Sequence, residues 1–434
     1  MEAMKVGLLG LGVVGAGTWH VLNRNAQEIA RRAGRGIEVT HVAVRDVAKA
    51  RSIVGPNMLI TDRPEEVVCD PTIEIVVELM GGVTLAYDMV LKAIENGKHV
   101  VTANKALLAL HGTEIFEAAS RKGVMVAFEA AVAGGIPIIK AMREGLTANR
   151  IEWVVGIING TTNYILSEMR TRHLSFAQAL SQAQGLGYAE ADPTGDVEGI
   201  DAAHKLTLLA SMAFGIPVQF TGAYIEGISA IEDEDMVQAE RLGYRIKLLG
   251  ITRRRDHGIE LRVHPALVPI ESLLASVEGP MNAVVVSGDA VGQTLYYGQG
   301  AGAEPTASAV VADLVDVTRL HTADPEHRVP HLAFKTNALI DTAILPIDQI
   351  VTPYYLRLNV DDQPGVLADI SRELAHFRIS IESMIQKPTE LGGAKLIFLT
   401  HQALEADINE AIEAIEKMPF VRSSVMRIRV EALQ

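Results

Sequence analysis

Residues Lys5–Gly15, KVGLLGLGVVG, decide the fold. Lys5–Gly10 reads as a short strand buried on both faces, and Leu11-Gly12-Val13-Val14-Gly15 as the turn into a helix. Gly10, Gly12 and Gly15 then form G-x-G-x-x-G in the strand–turn–helix context that a dinucleotide site requires. Gly10 permits the tight turn, Gly12 lets the backbone approach a pyrophosphate, and Gly15 lets the helix pack on the strand. The helix start at Val13 and Val14 offers free N–H groups and a positive dipole end to phosphate. A glycine-rich turn in some other α/β protein is the competing reading.

Further buried runs follow at Glu38–Val44, Ile73–Leu79, His99–Thr102 and Val124–Glu129. Alternating with helical segments, they predict a doubly wound parallel sheet over residues 1–150. The second strand ends in Arg45-Asp46, where the adenosine ribose would lie. Arg45 there favours the 2′-phosphate of NADP, while Asp46 keeps NAD open. The fourth strand delivers Asn104-Lys105 to the sheet's carboxyl edge, the side on which ligands gather in such folds.

From about residue 150 the pattern changes to α+β. Trp153–Ile158 reads as a strand ending in Asn159-Gly160-Thr161-Thr162-Asn163, a polar turn before a helix from Tyr164. Strands are expected at Gly227–Ile231, Arg245–Thr252, Ile259–Pro265, Ala283–Ser287 and Asp289–Leu295. Tyr297–Thr306 is another glycine-rich turn, containing Gly302, before a helix from Ala307 whose start near Thr306 is a second candidate anion site. Residues 151–320 thus form a substrate-binding and dimerisation domain, and the segment near 300–320 returns to complete the first domain. Residues 321–350 lose periodicity and read as a linker. Residues 351–434 run β-α-β-β-α-β, a small separate module without a cluster of catalytic residue types.

The densest chemistry lies in Gly187–Lys205, GYAEADPTGDVEGIDAAHK. Glu190, Asp192, Asp196, Glu198 and Asp201 crowd a glycine- and proline-marked loop that runs into a helix. Asp201 and Lys205 are four apart on that helix and share a face. A lysine held by a carboxylate above an apolar stem can bind a polar substrate and move a proton. An isolated pair of this kind is more often a weak surface salt bridge.

The composition is that of an ordinary globular protein, 48% hydrophobic and 21% charged over 434 residues. A net charge of −14 argues against a nucleic-acid backbone as partner. Cys69 is the only cysteine, which excludes an intrachain disulfide or a cysteine-rich zinc site and fits a reducing cytoplasm. The amino terminus lacks the shape of a signal peptide, and no apolar run approaches a membrane span.

Several long motifs in order carry a resemblance. They are GLGVVG (10–15), TANKALL (102–108), EAAVAGGIP (129–137), NGTTNYIL (159–166), GYAEADPTGDVEGIDAAHKL (187–206) and GQGAGAEPTASAVVADL (298–314). With these the chain resembles the homoserine dehydrogenases nearly end to end. The tail resembles an ACT domain, whose DxPGVL signature stands at Asp362–Leu367. No aspartokinase segment precedes the rest, as in the monofunctional form.

The resemblance implies interconversion of L-homoserine and L-aspartate 4-semialdehyde with NADP or NAD, on the route to threonine and methionine. By position it makes Lys205 the proton-transfer lysine, Lys105 a second active-site lysine, and Glu190 and Asp201, with Gly187 in the same loop, the substrate-binding set. Glu129, Val132, Gly134 and Ile136 match a sodium site, which nothing in the residues themselves singles out. A homodimer or homotetramer is expected, with threonine as effector of the ACT domain. A second lysine at 105 opposes the charged form of Lys205 and nearby carboxylates favour it, a balance the residues leave open. A catalytically silent NADP- and amino-acid-sensing regulator is the reading from another class, and the intact Lys105, Glu190, Asp201 and Lys205 set speaks against it.

Overall fold

A computed structural model of the chain describes residues 2–389 and 392–432. The first sheet consists of β1 (Met4–Leu9), β2 (Ile37–Ala43), β3 (Leu59–Thr61), β4 (Ile75–Glu78), β5 (His99–Thr102) and β6 (Val126–Ala127). All neighbours pair in parallel in the order β3-β2-β1-β4-β5-β6. Its central strands are short and wholly buried, Ile75-Val76-Val77 and Val100-Val101, as strands covered by helices on both faces must be. The order reverses between β1 and β4, so the crevice for a ligand opens at the carboxyl end of β1, at Gly10.

The helix Ala303–Leu320 returns across this domain and packs along the first helix, Val13–Arg24. Gly17 makes the close approach possible: a Cβ there would lie 2.5 Å from the Ala303 carbonyl oxygen. The return helix starts four residues before the position expected from sequence. Pro305 falls in its first turn, where the missing N–H is unpaired in any helix, so the proline does not delay the start. The candidate anion site at Thr306 is corrected accordingly: Thr306 is buried and its N–H already bonds to the Gly302 carbonyl. The helix after Asn159 likewise begins early, at Gly160, because the Asn159 side chain accepts the Thr162 N–H and caps it there.

The second sheet continues the count with β7 (Ile151–Ile157), β8 (Tyr224–Ile225), β9 (Tyr244–Arg255), β10 (Gly258–Pro269), β11 (Met281–Gly288) and β12 (Gly292–Gln299). Gly227–Ile231 is not a strand. The strand is the two-residue β8 just before it, and the following residues turn away to meet the Val197 carbonyl. Asp289 belongs to the β11–β12 turn, where its carboxylate accepts the Arg150 N–H. Residues 321–350 hold short 3-10 turns and lie along the second domain. Ile344 bridges to Ile259, and Phe334 covers Gly215.

The C-terminal module adds β13 (Val351–Thr352), β14 (Tyr354–Asp361), β15 (Ile381–Pro388), β16 (Gly393–Thr400), β17 (Ala403–Leu404) and β18 (Met426–Val430), with helices Val366–His376 and Glu405–Glu416. β18 pairs in parallel with β10, so the two domains share one sheet in the order β12-β11-β7-β9-β10-β18-β14-β16-β15. No described helix is long and apolar enough to cross a membrane.

Candidate active site

The helix Ile200–Phe214 carries Asp201 and Lys205 over the carboxyl end of β7. Gly199, at φ +81°, turns the acidic loop into this helix. Lys205 is buried, and its Nζ donates to the Asp201 carboxylate at 2.5 Å and to the Ile158 carbonyl at 2.9 Å. Lys105, at the first position of the helix Lys105–Lys122 on the dinucleotide domain, lies 3.1 Å from the other Asp201 oxygen. One carboxylate therefore bridges lysines from two domains. Asn159 adds a third donor, with Nδ2 at 2.9 Å from Asp201 and 2.7 Å from Asp196.

Burial alone would raise the Asp201 carboxyl. The charges of Lys205 and Lys105, with the hydrogen bonds from Lys205 and Asn159, outweigh it and hold the group well below the usual carboxylate range. Asp201 in turn holds the Lys105 ammonium above its ordinary value despite burial. Asp196 is shifted up, by burial and then by the neighbouring Asp201 charge. His204, one residue before Lys205, is pushed down by burial.

The other expected residues are placed less directly. Glu190 is exposed in the loop, close enough for its charge to act on Lys105, and its backbone carbonyl accepts from Gln184. Gly187 is exposed and takes φ +76°. Its neighbour Tyr188 is tied back by the Thr161 hydroxyl, which donates to the Tyr188 carbonyl at 2.7 Å.

At the sheet crevice Gly10 has φ +95°, and a Cβ there would lie 2.5 Å from the Leu79 carbonyl oxygen. A Cβ on Gly15 would meet the Gly10 oxygen at 2.3 Å, whereas Gly12 faces open space. The cap at Gly12 makes no side-chain hydrogen bond, and Val13 is 71% exposed, so the helix start is open to a pyrophosphate. Gly302, at φ +117°, begins the return helix that packs beside this one. Arg45 is exposed just beyond β2, while the Asp46 carboxylate is engaged by the Lys49 N–H as cap of the next helix.

Of two buried carboxyls near this edge, Glu78 goes unmarked in the sequence and Glu129 is picked out only by the resemblance. Glu78, at the end of β4, is raised by burial and receives the Thr102 hydroxyl at 2.7 Å and the Met80 N–H at 2.9 Å. Glu129 accepts the N–H groups of Ile139 and Lys140, and its own N–H donates to Asp313. A buried acid at a strand's carboxyl end was the available signal for both.

An open dinucleotide crevice facing a lysine–carboxylate pair across two domains defines a nicotinamide-dependent oxidoreductase. The family described as "Homoserine dehydrogenase, NAD binding domain" matches residues 10–129, "Homoserine dehydrogenase" matches 137–315, and "ACT domain" matches 354–420. The chain is 60% identical to a homoserine dehydrogenase of Pseudomonas aeruginosa and 54% identical to one of Neisseria gonorrhoeae, each aligned over 100% of both chains. A solved homoserine dehydrogenase from Thiobacillus denitrificans superposes with a TM-score of 0.96 at 63% identity, covering 100% of this chain and 99% of that one. The Staphylococcus aureus enzyme at pH 7.5 superposes with a TM-score of 0.76 at 32% identity over 100% of both.

The chain belongs to the homoserine dehydrogenase family, with a nicotinamide-binding domain, a catalytic domain and an ACT domain. Its reaction is the reversible interconversion of L-homoserine and L-aspartate 4-semialdehyde, and the silent-sensor reading is not favoured.

Proposed function

We propose that Lys205 is the proton-transfer residue of this dehydrogenase and that Asp201, Lys105, Glu190 and Gly187 bind the substrate. The observation that carries this is the single Asp201 carboxylate lying between Lys205 at 2.5 Å and Lys105 at 3.1 Å. A nicotinamide held at Gly10–Gly15 would supply the acceptor for the hydride of the alcohol carbon. The protein's part is to take the hydroxyl proton, and Lys205 in its neutral form does so during oxidation. In the reverse direction its ammonium returns the proton to the developing alkoxide. Asp201 and Glu190 offer carboxylates to the substrate ammonium, and Lys105 offers a charge to its carboxylate or hydroxyl.

Lys205→Ala tests the assignment. It should lower kcat by about 10³–10⁴-fold while leaving cofactor affinity, read by nicotinamide fluorescence titration, within twofold of wild type, a bound that ~0.4 kcal/mol sets.

Gly10, Gly12, Val13, Val14, Gly15 and Gly302 cradle the cofactor in this reading, with Arg45 and Lys105 at its two ends. NADP is the preferred form, because Arg45 is exposed at the end of β2 whereas Asp46 is engaged as a helix cap. Arg45→Ala should raise KM for NADP about tenfold, the loss of ~1.4 kcal/mol from one charged contact, and leave KM for NAD unchanged.

Sodium would lie at the Glu129–Ile136 turn. Ala133 and Gly134 there take φ +54° and +52° in succession, which re-aims the carbonyls. Among the described residues no backbone N–H is bonded to the Val132 or Gly134 oxygen, whereas Ile136 already accepts from Ile138 and Glu129 from two amides. Oxygen donors of this kind suit a hard cation, which would balance the buried Glu129 charge. The ACT domain takes an amino acid, threonine first, as inhibitor. A homodimer or homotetramer is supported by the open edge strand β12, where Leu295 and Tyr297 are exposed.

A further inference from the structure

The substrate-binding loop does not stand alone. Its short helix Thr194–Val197 and the following Glu198 are held from below by residues 226–229 of the same domain. The Ile228 N–H donates to the Val197 carbonyl at 2.9 Å, and the Ser229 hydroxyl donates to the Glu198 carboxylate at 2.8 Å. Gly227 lies flush against the loop: a Cβ there would fall 2.5 Å from both the Val197 carbonyl oxygen and Glu198 Oε2.

The same short segment is gripped from its other side by the C-terminal domain. Glu226 Oε2 accepts from Arg429 at 2.9 Å, from Arg427 at 3.4 Å and from the Tyr224 hydroxyl at 2.7 Å. Arg429 is fully buried and is itself fixed by both oxygens of Glu405, at 2.8 and 2.5 Å. The Glu226 N–H donates to the Val263 carbonyl of β10, the strand that β18 joins.

Glu405 and Arg429 are therefore tied by hydrogen bonds to Glu226, and the backbone that follows Glu226 carries Ile228 and Ser229, which bond to the Val197 carbonyl and the Glu198 carboxylate. One residue before Val197, Asp196 accepts from Asn159, which also donates to Asp201. This inference rests on the reading of the Gly187–Asp201 loop, with Glu190 and Asp201, as the substrate site. We infer that Glu226, Gly227 and Ser229 are positioning residues for the substrate-binding loop, and that the C-terminal domain, through Arg429 and Arg427, sets the affinity of the enzyme for its amino-acid substrate by holding that segment.

Among the described residues no member of the segment bonds to Lys205, Lys105 or Asp201, so loosening it should change KM for homoserine and spare the chemical step. Full-length Ser229→Ala, Ser229→Thr, Gly227→Ala and Arg427→Gln are compared by initial rates at varied homoserine and at varied cofactor. Ser229→Ala should raise KM for homoserine about fivefold, as the loss of one hydrogen bond does, with kcat and cofactor KM unchanged. Ser229→Thr keeps the hydroxyl and should restore the wild-type KM. Gly227→Ala wedges a methyl against the loop and should raise KM at least about tenfold.

Arg427→Gln, on the C-terminal domain, should raise KM for homoserine about threefold by weakening the hold on Glu226. An unchanged homoserine KM in Ser229→Ala and Gly227→Ala would overturn the positioning role. An unchanged KM in Arg427→Gln alone would overturn the part given to the C-terminal domain. A fall in kcat with unchanged KM would also contradict the inference, because it would place these residues in the chemical step. Failure of the homoserine dehydrogenase reading itself would instead show as wild-type protein that does not turn over homoserine in the same assay.

Discussion

Two of the clusters of buried charge in this chain, one in the cleft around Asp201 and one in the seam beneath the C-terminal domain, are balanced differently. In the seam two arginine forks each take both oxygens of one carboxylate, although Glu405 also receives Arg427 at 2.9 Å. Arg357 holds both oxygens of Asp235 at 2.7 and 3.1 Å, and Arg429 holds both of Glu405. Tyr354 and Tyr355 donate their hydroxyls into the same carboxylates. In the cleft one carboxylate serves two lysines and an asparagine, and Lys205 uses a backbone carbonyl as its second partner.

Planar guanidinium–carboxylate pairs that satisfy each other fix one geometry and leave little for a ligand. Lysines sharing a carboxylate remain short of acceptors and can exchange protons. Buried charge by itself marks neither structure nor catalysis; the kind of donor, a lysine able to exchange its proton or a guanidinium fork that cannot, separates the two.

Breaking each cluster should expose the difference. Asp201→Asn removes the acid that both lysines share and should lower kcat/KM for homoserine by about 10³-fold; because Lys205 keeps the Ile158 carbonyl and Lys105 reaches solvent, unfolding stability should fall by only about 1 kcal/mol. The measurement is steady-state kinetics beside urea unfolding. Asp235→Asn does the reverse. It leaves Arg357 buried with half its partner, so stability should fall by about 3 kcal/mol while kcat stays within about twofold of wild type.

A smaller effect separates both clusters from acid sensitivity elsewhere. Asp201 and Glu405 are both held below their ordinary values against burial, by Lys205 and by Arg429 respectively. His99, buried at the start of β5, is pushed down to about 4, chiefly by burial and then by Arg328. Its Nδ1 accepts the Met125 N–H, which requires the neutral ring. Because its folded value is depressed, the stability it contributes is present above about pH 6.5 and is lost as the pH falls through about 4. His99→Gln should therefore flatten the loss of stability between those pH values by about 2 kcal/mol, read by thermal unfolding at fixed ionic strength.

Much of the cleft was legible in the sequence because its determinants are local. Gly10, Gly12 and Gly15 fall together at one strand–turn–helix junction, and Asp201 and Lys205 are one helical turn apart, so local spacing joins them. The approach of Lys105 to Asp201 was not readable from spacing, since it crosses two domains; only the motif resemblance brought the two together. The seam was invisible for the same reason at larger scale. Arg429 and Glu226 are 203 positions apart, and nothing in βαββαβ patterning says that β18 will join the catalytic sheet. Residues 321–350, aperiodic in sequence, pack through irregular contacts such as Phe334 on Gly215, which leave no period to detect. The early helix starts at Gly160 and Ala303 were missed because cap geometry and a first-turn proline decide boundaries more finely than apolar pattern does.

The central claim, that Lys205 moves the substrate proton, is tested most directly by chemical rescue. Homoserine oxidation by full-length Lys205→Ala would be followed at the reduced-nicotinamide band across a range of ethylamine concentrations. The predicted result is near-zero turnover that rises with the free-base form of the amine, with cofactor affinity unchanged throughout. Turnover close to wild type without any amine would contradict the account.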